Sequence, residues 1–463
     1  MMRSSPETYH LLTDDTPSGR DRGVLPPDDP LRLQLHNELH ARPTPRIRLP
    51  ALVVQVAVRH EGVSREVELE HLRQLSGLGE LELDQLAGTY LRLRLPGGSL
   101  RWERHTEFST YTLVQHLPAI APSPDADLLG HLVVDTSWLR GIPGRTLSAV
   151  KLIMLHGPVE EALNIARPWL GAHGVVASLM GRNGHSCAVT DFRLRQSGFE
   201  RMVVVAPPET SETRAGRIAA RLLEMEAYRM MALLGFPVAR SLRPMLLESE
   251  QALAQITARI RDTNQADAGL LDELEALAAR VEHAMAEHGY RFSATAAYHA
   301  LVRARLAELR EAPIPGTQTI GEFLQRRFSP AMATVESTAQ RLAALSQRIE
   351  RAGALLRTRV DIALETQNQE LLHKLKRGQE MQYQLQRTVE GLSIAAISYY
   401  VVGLLYYLFK AGKEAGLPIS PELAAGLAIP GVMAAVWWLT RQIHRRLLAS
   451  QHGSQPLPPQ RPE

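Results

Sequence analysis

His36 and His40 stand four residues apart in HNELHARP, and on a helix that spacing puts both imidazoles on one face, where they can hold a divalent metal. Glu38 projects from nearly the opposite side, so the pair lacks the arrangement of a zincin protease. A second set of groups lies in RWERHTEFS. Read as one strand, Arg101 to Ser109 places Glu103, His105 and Glu107 on one face, about 7 Å apart in turn, and Trp102, Arg104, Thr106 and Phe108 on the other. The candidate ligand-binding set is therefore His36, His40, Arg42, Glu103, His105 and Glu107, with His36, His40 and His105 as candidate metal ligands. If the first helix docks over the strand, these groups converge as a metal-dependent enzyme would need. The competing reading is a structural polar network: Arg42 and Arg104 can pair with the carboxylates, and Glu-His-Glu on a strand is equally the wet face of an antiparallel sheet. No catalytic residue is assigned, and a divalent metal is the only cofactor these residue types suggest.

Other groups carry weaker signals. Gly181-Arg182-Asn183-Gly184 reads as a turn between strands; a phosphate cradle wants a following helix N-terminus, and none is evident. Glu224, Glu226, Tyr228 and Arg229 read as a solvated or interhelical face. Arg357 and Asp361 form an i,i+4 pair that needs no functional explanation. Gln367, Asn368 and Gln369 can set packing register in an oligomer. Cys187 reads as a small buried residue beside His185.

The elements that must position these groups follow from composition and pattern. The chain has 463 residues, 45% apolar and 22% charged, enough for a sizeable core. Its 52 basic and 49 acidic residues leave only +3, too little for the global footprint of a nucleic-acid binder, so any electropositive function is local. One cysteine excludes an internal disulfide or a multi-thiolate zinc site. The polar stretch 1–29 reads as a flexible leader. Residues 30–207 read as an α+β cytoplasmic domain, with two related halves conceivable. Asp28, Asp29 and Pro30 cap a short helix to about Ala41. ALVVQVAV (Ala51 to Val58) is a strand. Tyr90 to Leu95, the turn Pro96-Gly97-Gly98, and Leu100 to Gln115 form a hairpin. Further strands are expected at His131 to Val134, Val150 to Leu155, Gly174 to Leu179, Ser186 to Leu194 and Arg201 to Val205, with helices at Arg65 to Leu75 and Val159 to Leu170.

After Pro208 the pattern becomes helical through residue 390. Glu209 to Leu234 forms one helix, and Leu242 to His288 and Ser293 to Arg310 are helical in composition. Leu342, Leu345, Ile349, Ala352 and Leu356 keep coiled-coil spacing, which fades through RTRVDIALETQNQE and resumes at Leu371, Leu375, Leu385 and Val389. An unbroken helix from Pro330 to Phe409 measures about 120 Å and needs partners, either an internal hairpin or further copies, and both are expected.

Residues 391–440 read as a transmembrane hairpin with spans at 391–409 and 423–440, each uncharged and close to the length that crosses ~30 Å of hydrocarbon. Tyr406 and Tyr407, then Trp437 and Trp438, stand near the boundaries. Lys374, Lys376, Arg377, Arg387, Arg441, Arg445 and Arg446 flank the pair, whereas the connecting loop holds Lys410 and Lys413, which puts both termini in the cytoplasm. Residues 441–463 form a basic, then Pro- and Gln-rich tail. The fold class is thus an α+β N-terminal region, a long-helix region and a C-terminal two-helix transmembrane hairpin.

HNELHARP (His36 to Pro43), RWERHTEFSTYT (Arg101 to Thr112), LLEMEAYRMMALL (Leu222 to Leu234), LRTRVDIALETQNQELL (Leu356 to Leu372) and TVEGLSIAAISYYVVGL (Thr388 to Leu404) resemble the signature blocks of a bacterial membrane-anchored family, the domain of unknown function 3422. The resemblance implies an anchor at the inner membrane and no specific chemistry. The overall architecture also resembles CorA-type divalent-cation channels, but their Gly-Met-Asn filter is replaced here by Tyr406-Tyr407-Leu408-Phe409-Lys410, and Lys410 and Lys413 disfavour cations at a pore mouth. The leading expectation is an oligomeric scaffold or regulatory binding module, with the lipid bilayer and further copies as partners, no nucleic acid, and a protein or small-molecule ligand of unknown identity. The alternatives are a CorA-like channel lacking the filter and a metal-dependent enzyme.

Overall fold

The computed structural model describes residues 29–451, apart from 33–34, 37–43, 76–88, 126–127, 172–173, 261–266 and 415–419. The predicted first helix is seen only in part: Leu31 N–H donates to Asp29 Oδ1 at 2.7 Å, and Leu35 N–H to Leu31 O at 2.8 Å. The remainder of that helix lies outside the described residues.

Strand β1 (Ala51–Arg59) is apolar on both faces because both faces are covered. Leu52, Val54, Val56 and Val58 join a core with helix α1 (Arg65–Arg73) and with the cross-strand pair Trp102 and Tyr111 from β3 (Gly98–Arg104) and β4 (Phe108–His116). β2 (Tyr90–Leu95) pairs with β3 at one edge. Gln55, the one polar residue of β1's central stretch, donates from Nε2 to Thr112 Oγ1 at 3.2 Å across the sheet, which satisfies one end of a buried amide. Helix α2 (Thr136–Arg140) and β5 (Arg145–His156) follow, then α3 (Ala162–Leu170), which covers the same face as α1 with Ala162, Ala166 and Trp169.

Strands β6 (Val176–Met180), β7 (Ser186–Thr190) and β8 (Glu200–Ala206) complete the predicted region. The strands form one sheet, in the order β2-β3-β4-β1-β5-β8-β7-β6-β9. Neighbours run antiparallel except β5 and β8. The ninth strand, β9 (Ala312–Pro313), comes from the helical half of the chain and pairs with β6, so the sheet draws on residues beyond 207.

Helix α4 (Glu212–Leu233) lies on the second face of the sheet against β1 and β5. It is followed by α5 (Gly235–Ile260), α6 (Asp267–Leu309), α7 (Ile320–Arg327), α8 (Ser329–Glu414) and α9 (Pro421–Gln451). An N-terminal α/β sheet region is thus followed by long helices. α6 passes through Gly289 without the expected interruption, and α8 is unbroken. The predicted seam is buried at Leu342, Leu345, Ile349 and Ala352. There α8 lies beside its own chain: Arg341 pairs with Glu250 of α5 at 2.8 Å, and Ser346 donates to Glu282 of α6.

Two expected strands are corrected. His131 to Val134 is not extended: Leu128–His131 is a 3-10 turn, and Gln115 takes the strand's bonding role by accepting from Val133 N–H and donating to His131 O. Arg101 to Ser109 is not one strand either. His105 N–H donates to Phe108 O at 2.8 Å, and this closes a tight β3–β4 hairpin around Thr106 and Glu107.

The chain divides into two compact units, Met1–Asn264 with Asp272–Ala352, and Gln265–Leu271 with Gly353–Glu463. In the second, the buried described residues include Leu270, Leu356, Ser398, Ala425 and Val432, while Leu371, Leu375, Leu385 and Val389 are exposed.

Candidate functional site

Because the hairpin turns at His105, the predicted Glu103, His105 and Glu107 do not share one regular strand face, and each is engaged separately. Glu103 is buried and pairs with Arg101 at 3.2 Å. The His105 ring stacks on Phe108 with centroids 4.3 Å apart and meets Tyr228 edge-on. Glu107 forms an ion pair with Arg291 of α6. Arg104, expected to pair with these carboxylates, instead binds the fully buried Glu68 of α1. His36 is exposed in the described part of its helical turn, and His40 and Arg42 lie outside the described residues. Among the described residues no group of three His, Cys, Asp or Glu is placed to hold a metal.

A cleft of about 550 Å³ opens at the other end of the sheet. One wall is the β6–β7 turn, where Gly181 adopts φ +86°, a left-handed conformation that glycine takes without strain. Gly181 N–H donates to Leu309 O at 2.9 Å, which ties the turn to the end of α6. The opposite wall is the first turns of α4. Ser211 caps that helix, its Oγ accepting from Arg214 N–H at 3.4 Å. Arg214, Arg217 and Arg221 recur at three- and four-residue spacing and line the cleft with Arg182 and Arg310. Arg221 pairs with Glu308 at 3.0 Å. The other four arginines form no ion pair among the described residues.

His185 lines the same cleft. Thr210 Oγ1 donates its proton to Pro207 O at 2.7 Å, so His185 Nε2, 3.0 Å from Thr210 Oγ1, is the donor to that hydroxyl and the protonated ring nitrogen. Burial, then the charge of Arg214, hold His185 below the ordinary histidine pKa against the opposing pull of Glu209. The turn itself was recognised in the sequence. What it lacked was the helix N-terminus, which arrives after β8 and not directly after the turn.

The family described as "Protein of unknown function (DUF3422)" has a model that matches residues 27–447. The chain belongs to that family. No curated protein and no solved structure matches it. The likeness to CorA-type channels finds no support in any of these comparisons, and the DUF3422 match spans the sheet, the cleft and both apolar C-terminal helices.

The DUF3422 chain also holds a buried charge cluster that sequence reasoning misplaced. Glu226 of α4, expected on a solvated or interhelical face, is fully buried. Arg229 binds it through Nε at 2.8 Å and reaches Glu200 of β8 at 3.1 Å, with the Phe192 ring 5.4 Å from the guanidinium. The neighbouring Glu224 is interhelical as expected, bonded to Arg305 of α6. Burial, then the charge of Glu226, push Glu200 up to about 7, against the opposing pull of Arg229. As a carboxylate, Glu200 Oε2 meets no donor among the described residues; protonated, it can donate toward Glu226.

The sign of the resulting pH dependence follows. Between the ordinary carboxylate range and pH 7 the folded chain holds a proton that the unfolded chain has released, so stability falls as pH rises through that window. Glu200→Gln is expected to flatten this slope and to raise stability at pH 8 by roughly 1–3 kcal/mol, with little change at pH 4.5. Urea midpoints of the full-length protein in neutral detergent, taken from pH 4.5 to 8.5, test this. Parallel wild-type and variant curves would remove Glu200 as the titrating group.

Proposed function

We propose that this DUF3422 protein is a binding module held on the cytoplasmic face of a bacterial inner membrane by the end of α8 and by α9, and that it assembles with further copies through α8. The observation behind the reading is the exposure of apolar helix surface. Three helical stretches are long and apolar enough to cross a membrane, 212–260, 329–413 and 421–442. In the first, 33% of the most apolar window is buried inside the protein, as suits a helix lying on a sheet, whereas only 6% is buried in the other two. Tyr399 is 78% exposed and Leu427 79%, and a water-soluble chain rarely leaves a run of such residues uncovered.

The seven flanking Lys and Arg residues against two in the loop orient the hairpin with both ends inside. Leu371, Leu375, Leu385 and Val389 precede the first span, are exposed, and keep a heptad-compatible spacing of their own that resumes after the break at Arg357 to Glu370, so a second copy of α8 is the natural cover for them. Binding, not catalysis, is the mode of action that this arrangement supports.

Fractionation of lysed cells tests the anchor. Full-length protein is expected in the membrane pellet, released by detergent but not by high salt, and a chain ending at Glu390 is expected in the supernatant. Lys413→Cys, in the loop placed outside, should react with a membrane-impermeant maleimide on intact spheroplasts, and the buried native Cys187 should give no background in the wild type. Full-length protein found in the supernatant without detergent sinks the reading.

A further inference from the structure

We propose that the arginine-lined cleft between the β6–β7 turn and the N-terminus of α4 binds the phosphate group of a small phosphorylated compound. The argument begins with charge. The whole chain carries a formal net charge of only +3, yet five arginines and one glutamate line this one cleft. Arg182, Arg214, Arg217 and Arg310 form no ion pair among the described residues, so their guanidinium donors are free to take an anion and together favour one. The guanidinium fork matches phosphate oxygens two at a time. Arg214 also lies over the turn, its Nη2 at 3.8 Å from where a Cβ on Gly181 would stand.

A second, independent observation points to a ligand. Ser186 lines the cleft, is 1% exposed, and its hydroxyl has no hydrogen-bond partner among the described residues. A buried hydroxyl left unpaired costs about 1–3 kcal/mol, which a ligand oxygen accepting from it removes. The 22-residue helix α4 adds its positive N-terminal end to the same space. Arg310 sits at φ 49°, a left-handed position just past α6 where glycine is the unstrained choice, and its side chain reaches the cleft.

Volume and lining narrow the class. About 550 Å³ exceeds what an orthophosphate fills and suits a small molecule carrying one or two phosphates. Among the described residues no Phe, Tyr or Trp lines the cleft, so they offer no platform for stacking bases. The phosphate can belong to a soluble metabolite or to a lipid headgroup; the recognition chemistry is shared.

The test uses the full-length protein in neutral detergent, titrated calorimetrically with inorganic pyrophosphate and with inorganic phosphate. Saturable binding is expected, tighter for pyrophosphate. Arg214→Gln and Arg310→Gln are each expected to weaken pyrophosphate about tenfold, and the pair roughly a hundredfold, from the loss of charge-assisted bonds. Arg214 and Arg310 are exposed, so thermal melting should be unchanged, and the exposed Arg243→Gln outside the cleft should bind as wild type. A repeat in vesicles of phosphatidylcholine with and without phosphatidic acid separates the sources. Loss of pyrophosphate affinity with phosphatidic acid, abolished in Arg214→Gln, assigns the cleft to a headgroup; unchanged affinity assigns it to a soluble compound. Absence of saturable binding, or equal binding by the double variant, overturns the proposal. Either outcome is independent of the membrane anchor, because detergent replaces the bilayer.

Discussion

Arg229→Ala is expected to destabilise the protein by about 3–5 kcal/mol, a large share of the stability of an ordinary domain. The reason is what remains, not what is removed. Arg229 neutralises the fully buried Glu226 through two hydrogen bonds and also holds Glu200, so its loss strands two carboxylates between α4 and β8 with no counter-charge. Glu200, already pushed up to about 7, then loses the one charge that opposed its protonation, and Glu226 is left ionised without a partner unless water enters beneath the helix. The cation also lies against Phe192, a residue at φ 51° whose ring stacks on Phe323 of α7 at 4.8 Å, so the damage extends to that contact. The triple replacement Glu200→Met, Glu226→Leu and Arg229→Met removes every charge at once and is expected to recover most of the loss, since an apolar set of similar volume often equals or exceeds a buried ion pair. Urea denaturation of the full-length protein in detergent, followed by tryptophan fluorescence, measures both. If the triple variant proves as weak as Arg229→Ala, the packing of these side chains and not their charge is what matters.

The same cluster shows where sequence reading succeeds and where it stops. α4 was legible almost to the residue, since its spacing is local and the break at Gly235-Phe236-Pro237 is local too. Helix arithmetic alone also carried the fate of Glu226, which stands three and four residues after Leu223 and Leu222 and seven after Ala219, all buried. A charged residue on that stripe is buried, and reading it as a solvated face gave charge priority over position. Strand β1 was equally clear because a continuous apolar run admits few alternatives. The His105 hairpin was not legible: Thr106 and Glu107 are not the usual turn residues, and the turn is closed by a backbone bond between His105 and Phe108 that no side chain announces. β9 was invisible for a different reason, because two residues of strand exist only through pairing with β6. The arginine cleft lies between these cases. The spacing of Arg214, Arg217 and Arg221 was present in the sequence, but the approach of α4's N-terminus to Gly181 is a property of the sheet order.

Gly216→Ala, a single methyl group in the second turn of α4, is expected to cost about 3 kcal/mol or more, at the upper end of what overpacking does in a core. A Cβ at Gly216 would stand 1.6 Å from the carbonyl oxygen of Pro45 and 2.7 Å from its carbon, and both are backbone atoms that no rotamer change can move. The approach is close because the segment leading into β1 is fastened to α4: Ile47 N–H donates to Glu212 O at 3.0 Å, and Ile47 itself is 1% exposed. Making room for the methyl therefore means lifting this segment from the helix, losing that bond and uncovering Ile47. Intrinsic propensity points the other way, since alanine is the better helix former by about 1 kcal/mol. Gly289 of α6 isolates that opposing contribution. Among the described residues outside its own helical turns, no atom stands within 4 Å of its would-be Cβ, so Gly289→Ala is expected to stabilise the chain by roughly 0.5–1 kcal/mol. Urea midpoints of the two variants, measured side by side on the full-length protein in detergent, should therefore move in opposite directions. A Gly216→Ala midpoint at or above wild type means that the Pro45 segment is not held against α4 in solution, and the entry of the chain into β1 then has to be redrawn.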